Sequence, residues 1–245
     1  MLLDVKSVDK KFNGVYALKG LDFSLGEGEV HGLIGENGAG KSTFIKILGG
    51  VYKRDGGSIL WNGKDLPEVI RPEESRKLGI NIIFQDNVLI PAFTGMENIC
   101  LGRPYPVKGG LIQWKEMERE AAAKAAELGI HLDLKRPVSM MTPAQKKCVE
   151  IVRAMMSDCK LLILDEATSS VDTRTEVTIQ KAMDNLMRGR TSFVIAHRLS
   201  TIRNADLILV MKDGDIVEQG NHEELLEKNG FYANLYNSQF EDVVA

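Results

Sequence analysis

The segment GENGAGKS, residues 35–42, decides the fold because it matches the pattern G-x-x-x-x-G-K-S. The apolar residues before it predict a strand at 29–34, and those after it predict a helix at 41–49. Glycines let consecutive backbone N–H groups point inward, and the start of the helix adds the positive end of its dipole. We therefore expect a phosphate-binding P-loop here, rather than a glycine-rich turn that binds nothing.

Each residue type in this segment has a definite chemical use. The ammonium group of Lys41 can reach the β and γ phosphates of a nucleotide, and the hydroxyl of Ser42 can ligate Mg²⁺. The predicted cofactors are therefore ATP and Mg²⁺. The residues expected to contact the nucleotide in this segment are Gly35, Asn37, Gly38, Ala39, Gly40, Lys41, Ser42 and Thr43.

A second segment of interest is LLILDE at 161–166, whose apolar run predicts a buried strand that ends on the carboxylates Asp165 and Glu166. Beside a P-loop, Asp165 is expected to hold the metal ion. Glu166 is expected to be the general base, because a carboxylate near the γ phosphate can accept a proton from the attacking water. The alternative is that both carboxylates simply end a strand at the solvent edge.

Composition narrows the function classes. The 245 residues carry 31 basic and 34 acidic side chains, so the net charge of −3 gives no global attraction to nucleic acid or anionic membranes. The three cysteines have no metal-type spacing and are expected to be reduced thiols of a cytosolic protein. With neither a signal peptide nor an apolar run of about eighteen residues, the chain is not expected to span a membrane.

Strands and helices alternate along the chain in the manner of α/β proteins. Leu21, Phe23 and Leu25 alternate as strand residues do, and Thr142 followed by Pro143 resembles the start of a helix that runs to Met156. Further helices are predicted at 114–128 and 173–188, further strands at SFVIAH, LILVM and DIVEQ, and a capped final helix after Asn221.

Taken together, these segments resemble the nucleotide-binding domain of an ABC transporter, over essentially the whole chain. The resemblance implies an α/β fold: a P-loop NTPase, RecA-like core with an N-terminal antiparallel β subdomain and an inserted helical subdomain. It places the core and β subdomain at 1–86 and 158–245 and the helical subdomain at 87–157 of a single ATP-binding domain.

Three more motifs carry the resemblance. INIIFQD places Gln85 at the Q-loop glutamine, which in this family senses the γ phosphate and Mg²⁺ and contacts the membrane partner. TSFVIAHRLS places His197 at the switch histidine, and ATSSVD places Asp172 in the D-loop. These residues are thus expected to be catalytic, metal-binding or nucleotide-binding, although a histidine in such a position can also be a structural hydrogen-bonding residue.

In this family an aromatic ring before the P-loop stacks on adenine. Phe12, in KKFNGVYAL, is the first choice for this role and Tyr16 the second. Core packing is the alternative for either ring.

The family signature, usually LSGGQ, corresponds here to Met141-Thr142-Pro143-Ala144-Gln145. Thr142 and Gln145 are expected to meet the nucleotide of an opposing subunit. Two glycines are replaced: Pro143 removes a backbone donor and Ala144 adds a Cβ, so closure over the nucleotide is expected to be weaker. The alternative is that this segment only starts a helix.

The two parts of the chain resemble different branches of the family. Residues up to about 166 resemble the sugar-importer branch, and residues from about 167 to 245 resemble the exporter branch. A recombined or deliberately built chimera of two cassettes is the first interpretation, and a natural cassette of mixed ancestry is the alternative.

The resemblance implies a cassette that binds and hydrolyses Mg-ATP as a head-to-tail dimer with a second copy or a paralogous cassette. It would power the transmembrane domain of a transporter, at the cytoplasmic side of the membrane, and would be soluble when alone; no nucleic acid partner is expected. Two alternatives are a folded ATP-binding module with little turnover and a soluble ABC ATPase outside transport.

Overall fold

The computed structural model describes residues 1–84, 89–165, 183, 186–187, 189–196 and 199–241. The described residues form two compact units. Unit 1 takes those within Met1–Ile82, Lys160–Ala167 and Gly189–Ala245, and unit 2 takes those within Ile83–Cys159 and Thr168–Arg188.

Twelve strands lie in the described residues: β1 Leu3–Phe12, β2 Val15–Leu25, β3 Val30–Gly35, β4 Gly56–Trp61, β5 Lys64–Asp65, β6 Ile80–Ile83, β7 Val107–Lys108, β8 Leu111–Ile112, β9 Leu161–Asp165, β10 Thr191–Ile195, β11 Leu207–Lys212 and β12 Asp215–Gly220. The α-helices there are α1 Lys41–Leu48, α2 Pro72–Leu78, α3 Gly95–Cys100, α4 Trp114–Glu127, α5 Pro143–Met155, α6 Leu199–Ile202, α7 His222–Glu227 and α8 Phe231–Glu241. A short 3₁₀ helix spans Val138–Met140.

The first sheet is antiparallel, with the strand order β2-β1-β4-β5. β1 and β2 form a hairpin whose turn, Asn13-Gly14, has positive φ at both residues (49° and 85°), as a tight hairpin turn requires. Leu21, Phe23 and Leu25 are all buried, which agrees with the alternation in the sequence.

The second sheet has the order β12-β11-β3-β10-β9-β6. Its central strands are parallel, β10 pairing with both β3 and β9, and β11 pairing with the other side of β3. All five residues of β9 and of β10 are buried, because a parallel sheet is covered on both faces. The carboxyl ends of parallel strands lie at one edge of the sheet, so the residues that follow β3 and β9 lie close to each other at that edge.

Three buried rings hold α1 between the sheets. Phe23 of β2, Phe44 of α1 and Phe193 of β10 have ring centroids 5.2 to 6.0 Å apart, and the Phe23 and Phe193 rings are stacked at 15°. Each is at most 7% exposed. Since Phe44 lies three residues after Lys41, this aromatic cluster fixes the start of α1 in the core of unit 1.

Unit 2 is mainly helical. α3 starts with a capping box in which the Thr94 hydroxyl accepts from the Glu97 N–H and Glu97 accepts from the Thr94 N–H. Asn98, fully buried, binds the loop before α3 by accepting from the Ile90 N–H and donating to the Ile90 and Thr94 carbonyls. Among the described residues of the chain, no helix is both long and apolar enough to cross a membrane.

The architecture is a mixed α/β fold with an antiparallel sheet, a largely parallel second sheet and a helical unit. The predicted fold class is therefore confirmed.

Candidate functional site

The predicted P-loop connects β3 to α1. β3 ends at Gly35 and α1 begins at Lys41, with Gly40 as its N-cap and no side chain bonded to the helix start. Gly38 and Gly40 have φ values of 87° and 106°, in the left-handed region that only glycine enters at little cost. The loop therefore leaves the helix N-terminus to other acceptors, which is the geometry of an anion site.

Two glycines of the loop are also required by close contacts. A Cβ on Gly35 would overlap the carbonyl oxygen of Met211, and one on Gly40 would overlap the carbonyl oxygen of Ala17. Behind the loop, the N–H of Gly214 donates to the Ala39 carbonyl at 3.1 Å. The loop is thus supported from behind by β2 and by the turn after β11.

Lys41 is placed beneath the loop. Its side chain is buried, and its Nζ donates to the carbonyl oxygens of Gly35 at 2.6 Å and Glu36 at 2.9 Å. Burial lowers the pKa of Lys41, and the carboxylate of Asp165 opposes that shift. Two of the three N–H donors of the ammonium are used by the loop, and within the described residues no hydrogen bond of the third is seen.

Asp165 lies at the same sheet edge as the loop. It ends β9, is 7% exposed, and pairs in register with Ile195, which in turn pairs with Leu33 of β3. With about 4.8 Å between neighbouring strands, Asp165 lies roughly 10 Å across the sheet from β3. The two groups lie where β3 and β9 end, and the Asp165 carboxylate favours the charged form of Lys41.

The residues at this edge fit Mg²⁺. Ser42, exposed on the first turn of α1, and Asp165 supply a hydroxyl and a carboxylate, the oxygen ligands that hard cations prefer. No cluster of three or more His, Cys, Asp or Glu side chains suited to a metal occurs in the part of the chain that the structure describes. One carboxylate agrees with Mg²⁺, which keeps several water and phosphate ligands.

The two candidate adenine-stacking rings both lie on the surface of unit 1. Phe12, at the end of β1, is 40% exposed, and Tyr16, in β2, is 43% exposed. Phe12 contacts the ring of Tyr52 edge-on, with centroids 5.2 Å apart and planes at 69°. Lys11 Nζ lies 4.2 Å from the ring centroid of Tyr16. Neither ring is a core residue, so core packing does not account for them.

The segment predicted to be the signature begins α5 of unit 2. The Thr142 hydroxyl accepts from the Gln145 N–H at 3.3 Å, and the Gln145 side chain accepts from the Thr142 N–H at 3.0 Å. Pro143 takes the first helical position, where a missing N–H costs nothing. Thr142 is exposed, and Ala144 is buried. The helix start is therefore as predicted, and a contact with nucleotide stays a prediction.

Four predicted site residues lie outside the described residues: Gln85, Glu166, Asp172 and His197. The same holds for most of the predicted helix 173–188 and for the junction near residue 167. Their proposed roles stay predictions.

Two features of the site were missed by sequence reasoning. Tyr52 is 40 positions from Phe12 in the chain, and no pattern links them. The Asp213-Gly214 pair indicates a turn, but nothing in the sequence indicates that this turn supports the P-loop.

Comparisons with known proteins agree with these features. Residues 18–169 match the model of the family described as ABC transporter. The chain is 37% identical over 234 residues to the ribose import ATP-binding protein RbsA of Geobacillus kaustophilus, covering 92% of this chain and 47% of that protein. It is 40% identical over 234 residues to the ATP-dependent lipid A-core flippase 1 of Colwellia psychrerythraea, covering 95% and 38%.

A solved structure of a bacterial Atm1-family ABC exporter with ATP bound is also similar. It has a TM-score of 0.80 and 31% sequence identity, and the match covers 97% of this chain and 41% of that one. The chain thus spans less than half the length of each of these relatives, which come from both importers and exporters. With a glycine-rich loop between β3 and α1 and a family model matching more than half of its residues, this chain belongs to the ABC transporter family as an ATP-binding domain.

Proposed function

We propose that the chain is the ATP-binding and ATP-hydrolysing cassette of a transporter, powering a membrane domain. The observation that carries this proposal is the position of Lys41, buried under the loop and bonded to two loop carbonyls, at the sheet edge that also holds Asp165.

The triphosphate binds at the loop between β3 and α1. Backbone N–H groups of Gly38 and Gly40, with those that open α1, donate to phosphate oxygens, and the third donor of Lys41 joins them; Ala39, whose N–H donates to the Glu36 carbonyl, lines the same loop. The remaining contacts come from Gly35, Asn37 and Thr43. Ser42, Asp165 and Gln85 hold Mg²⁺, which when bound neutralises charge on the β and γ phosphates.

Hydrolysis is proposed to use Glu166, the residue after Asp165. Glu166 accepts the proton of a water whose oxygen bonds to the γ phosphorus, while the bond to the bridging oxygen breaks and leaves ADP. Gln85 and His197 are proposed to act on the γ phosphate, and Asp172 is proposed to contribute to nucleotide binding. Phe12 stacks on the adenine, with Tyr16 as the second choice.

The working form is proposed to be a head-to-tail dimer of two copies, or of this chain and a paralogous cassette. Thr142 and Gln145 of one copy then close the nucleotide site of the other. The core is proposed to comprise 1–86 and 158–245, and the helical subdomain 87–157. A membrane domain docks near Gln85 and the helical subdomain, which places the cassette at the cytoplasmic face of the membrane. The similarity to an import ATP-binding protein and to a flippase supports transport as the function.

The chain is also proposed to be a chimera, importer-like up to about residue 166 and exporter-like from about 167. Its similarity to relatives of both kinds supports this. Comparing the two halves separately tests it: one natural family equally similar to both halves would contradict the proposal.

A second candidate function is ATP binding with little turnover. It is favoured by Pro143 at the first position of α5, which stands where the family has a glycine and has no N–H to donate to a phosphate.

Nucleotide binding is tested by calorimetric titration with Mg-ATP of the wild-type chain and of Lys41→Met, which keeps the buried methylene stem but removes the ammonium. We expect at least a tenfold weaker affinity in Lys41→Met, because a charged donor to the phosphates is lost. Lys77→Met, at an exposed lysine of α2, is the matched control and should bind like the wild type. Equal affinity in all three folded proteins would contradict the proposed site.

A further inference from the structure

Phe12 does not stand alone on the surface. Its exposed ring, at the end of β1, has the ring of Tyr52 against it at 5.2 Å between centroids and 69° between planes. This edge-to-face arrangement is the one that aromatic pairs prefer. Tyr52 therefore limits the orientations that the Phe12 side chain can take.

Tyr52 is in turn fixed to the helix of the phosphate loop. The N–H groups of Val51 and Tyr52 both donate to the Lys46 carbonyl, at 2.8 and 3.0 Å. The Nζ of Lys46 lies 5.5 Å from the centroid of the Tyr52 ring, within the range of a cation–π contact. The position of Tyr52 is therefore set by the last turn of α1, whose first residue is Lys41.

Phe12 is also close to the phosphate loop along β2. It pairs with Val15 across the hairpin, and Ala17, two residues further, has its carbonyl oxygen against Gly40. Two residues of a strand span about 7 Å. A ring at Phe12 and phosphates at the loop are thus within reach of one nucleotide.

From these contacts we propose that Tyr52 is a positioning residue for the base of the nucleotide, holding the Phe12 ring in the orientation in which it stacks on adenine. The inference rests on the proposed function. Tyr52 acts through Phe12 and not on the phosphates, so its loss affects only the part of the affinity that comes from the base.

The test distinguishes the contribution of the base to the binding affinity from that of the phosphates. It uses two probes, a non-hydrolysable Mg-ATP analogue and Mg-tripolyphosphate. Calorimetry gives the affinity of each probe for the wild type, Tyr52→Leu, Tyr52→Phe, Phe12→Ala and the Phe12→Ala/Tyr52→Leu double variant. The quantity of interest is the preference for the analogue over tripolyphosphate. If Tyr52 had only a structural role, Tyr52→Leu would lower the affinity for both probes by the same factor and leave this preference unchanged.

We expect Tyr52→Leu to lower the preference roughly 3- to 10-fold, the range that an aromatic pair contributes, with tripolyphosphate affinity unchanged. Tyr52→Phe keeps the ring and should retain the wild-type preference. In the Phe12→Ala background, Tyr52→Leu should have no further effect.

Three results would overturn the inference: an unchanged preference in Tyr52→Leu, a parallel loss for both probes, or a full additional loss in the double variant. If the wild type binds neither probe, the proposed function itself fails. Binding of tripolyphosphate that depends on Lys41, without an effect of Tyr52, would retain the phosphate site and reject only the base-positioning role.

Discussion

The buried ammonium group of Lys41 is held in position by carbonyl groups of its own loop. A buried ammonium group is unfavourable unless it is hydrogen-bonded, and the Gly35 and Glu36 carbonyls provide those bonds. The spacing in GENGAGKS predicted that Lys41 would face phosphates, but it did not predict these carbonyl partners. They depend on the path of the loop backbone, which the sequence pattern alone does not specify.

His31 gives a prediction about pH. It is 2% exposed in β3, its Nε2 contacts Glu29 at 2.9 Å, and its Nδ1 has no hydrogen-bond partner among the residues that the structure describes. Burial lowers its pKa, and Glu29 opposes that shift. The unfolded chain therefore takes up a proton before the folded one as the pH falls below about 6.5, so stability is lost on acidification.

We expect the urea midpoint of unfolding to decrease as the pH is lowered from about 7.5 to about 5.5. His31→Leu should make the accompanying loss of unfolding free energy smaller, by up to about 1 kcal/mol. The pKa of buried His222 is also lowered by burial, so His31→Leu should leave part of the fall in place. His131→Gln, at an exposed histidine, is the control. A fall of the same size in His31→Leu as in the wild type would contradict the prediction.

Among the elements, α5 depends on its capping box. Thr142 and Gln145 satisfy each other's backbone N–H groups, so Thr142→Ala should lower the unfolding free energy by about 1 kcal/mol. Thr142→Ser keeps a hydroxyl acceptor at the same position, so its unfolding free energy should decrease much less. Thermal unfolding of the three proteins is the measurement, and equal midpoints for all of them would show that the cap contributes nothing.

Elements with strong patterns were predictable and short or irregular ones were not. The ends of α5 follow from Thr142, Pro143 and the apolar spacing, and the predicted end at Met156 is its C-cap. β1 gave no such signal. Its register with β2 shifts three times between Val5 and Lys11, and Ser7 has a positive φ of 48°, so the alternation of a regular strand is broken.

For the whole molecule, the proposed dimer predicts how turnover depends on concentration. If two copies complete each site, the ATPase rate should rise with the square of protein concentration when dimers are scarce. A linear rise would contradict the dimer. Glu166→Gln is the control for catalysis: the same residual rate as the wild type would favour the second candidate, binding with little turnover.

The site could be predicted from sequence only where its residues are neighbours in the chain. The phosphate loop is contiguous, and Asp165 follows from its place at the end of an apolar strand. The contact of Tyr52 with Phe12 joins the segment after α1 to the β1–β2 hairpin, and it depends on how that helix packs. Packing of distant segments is set by the whole core, which no local pattern encodes.

The stacked and edge-on rings of Phe23, Phe44 and Phe193 have a consequence for selectivity. They join α1, whose N-terminus is the proposed phosphate site, to the sheet that carries Phe12, so the core behaves as a rigid spacer of set length. A bound nucleotide would have to reach both ends of this spacer. If phosphates bind the loop and the base stacks on Phe12, as proposed, a nucleotide too short to span this distance contacts the loop or the ring, and never both at once.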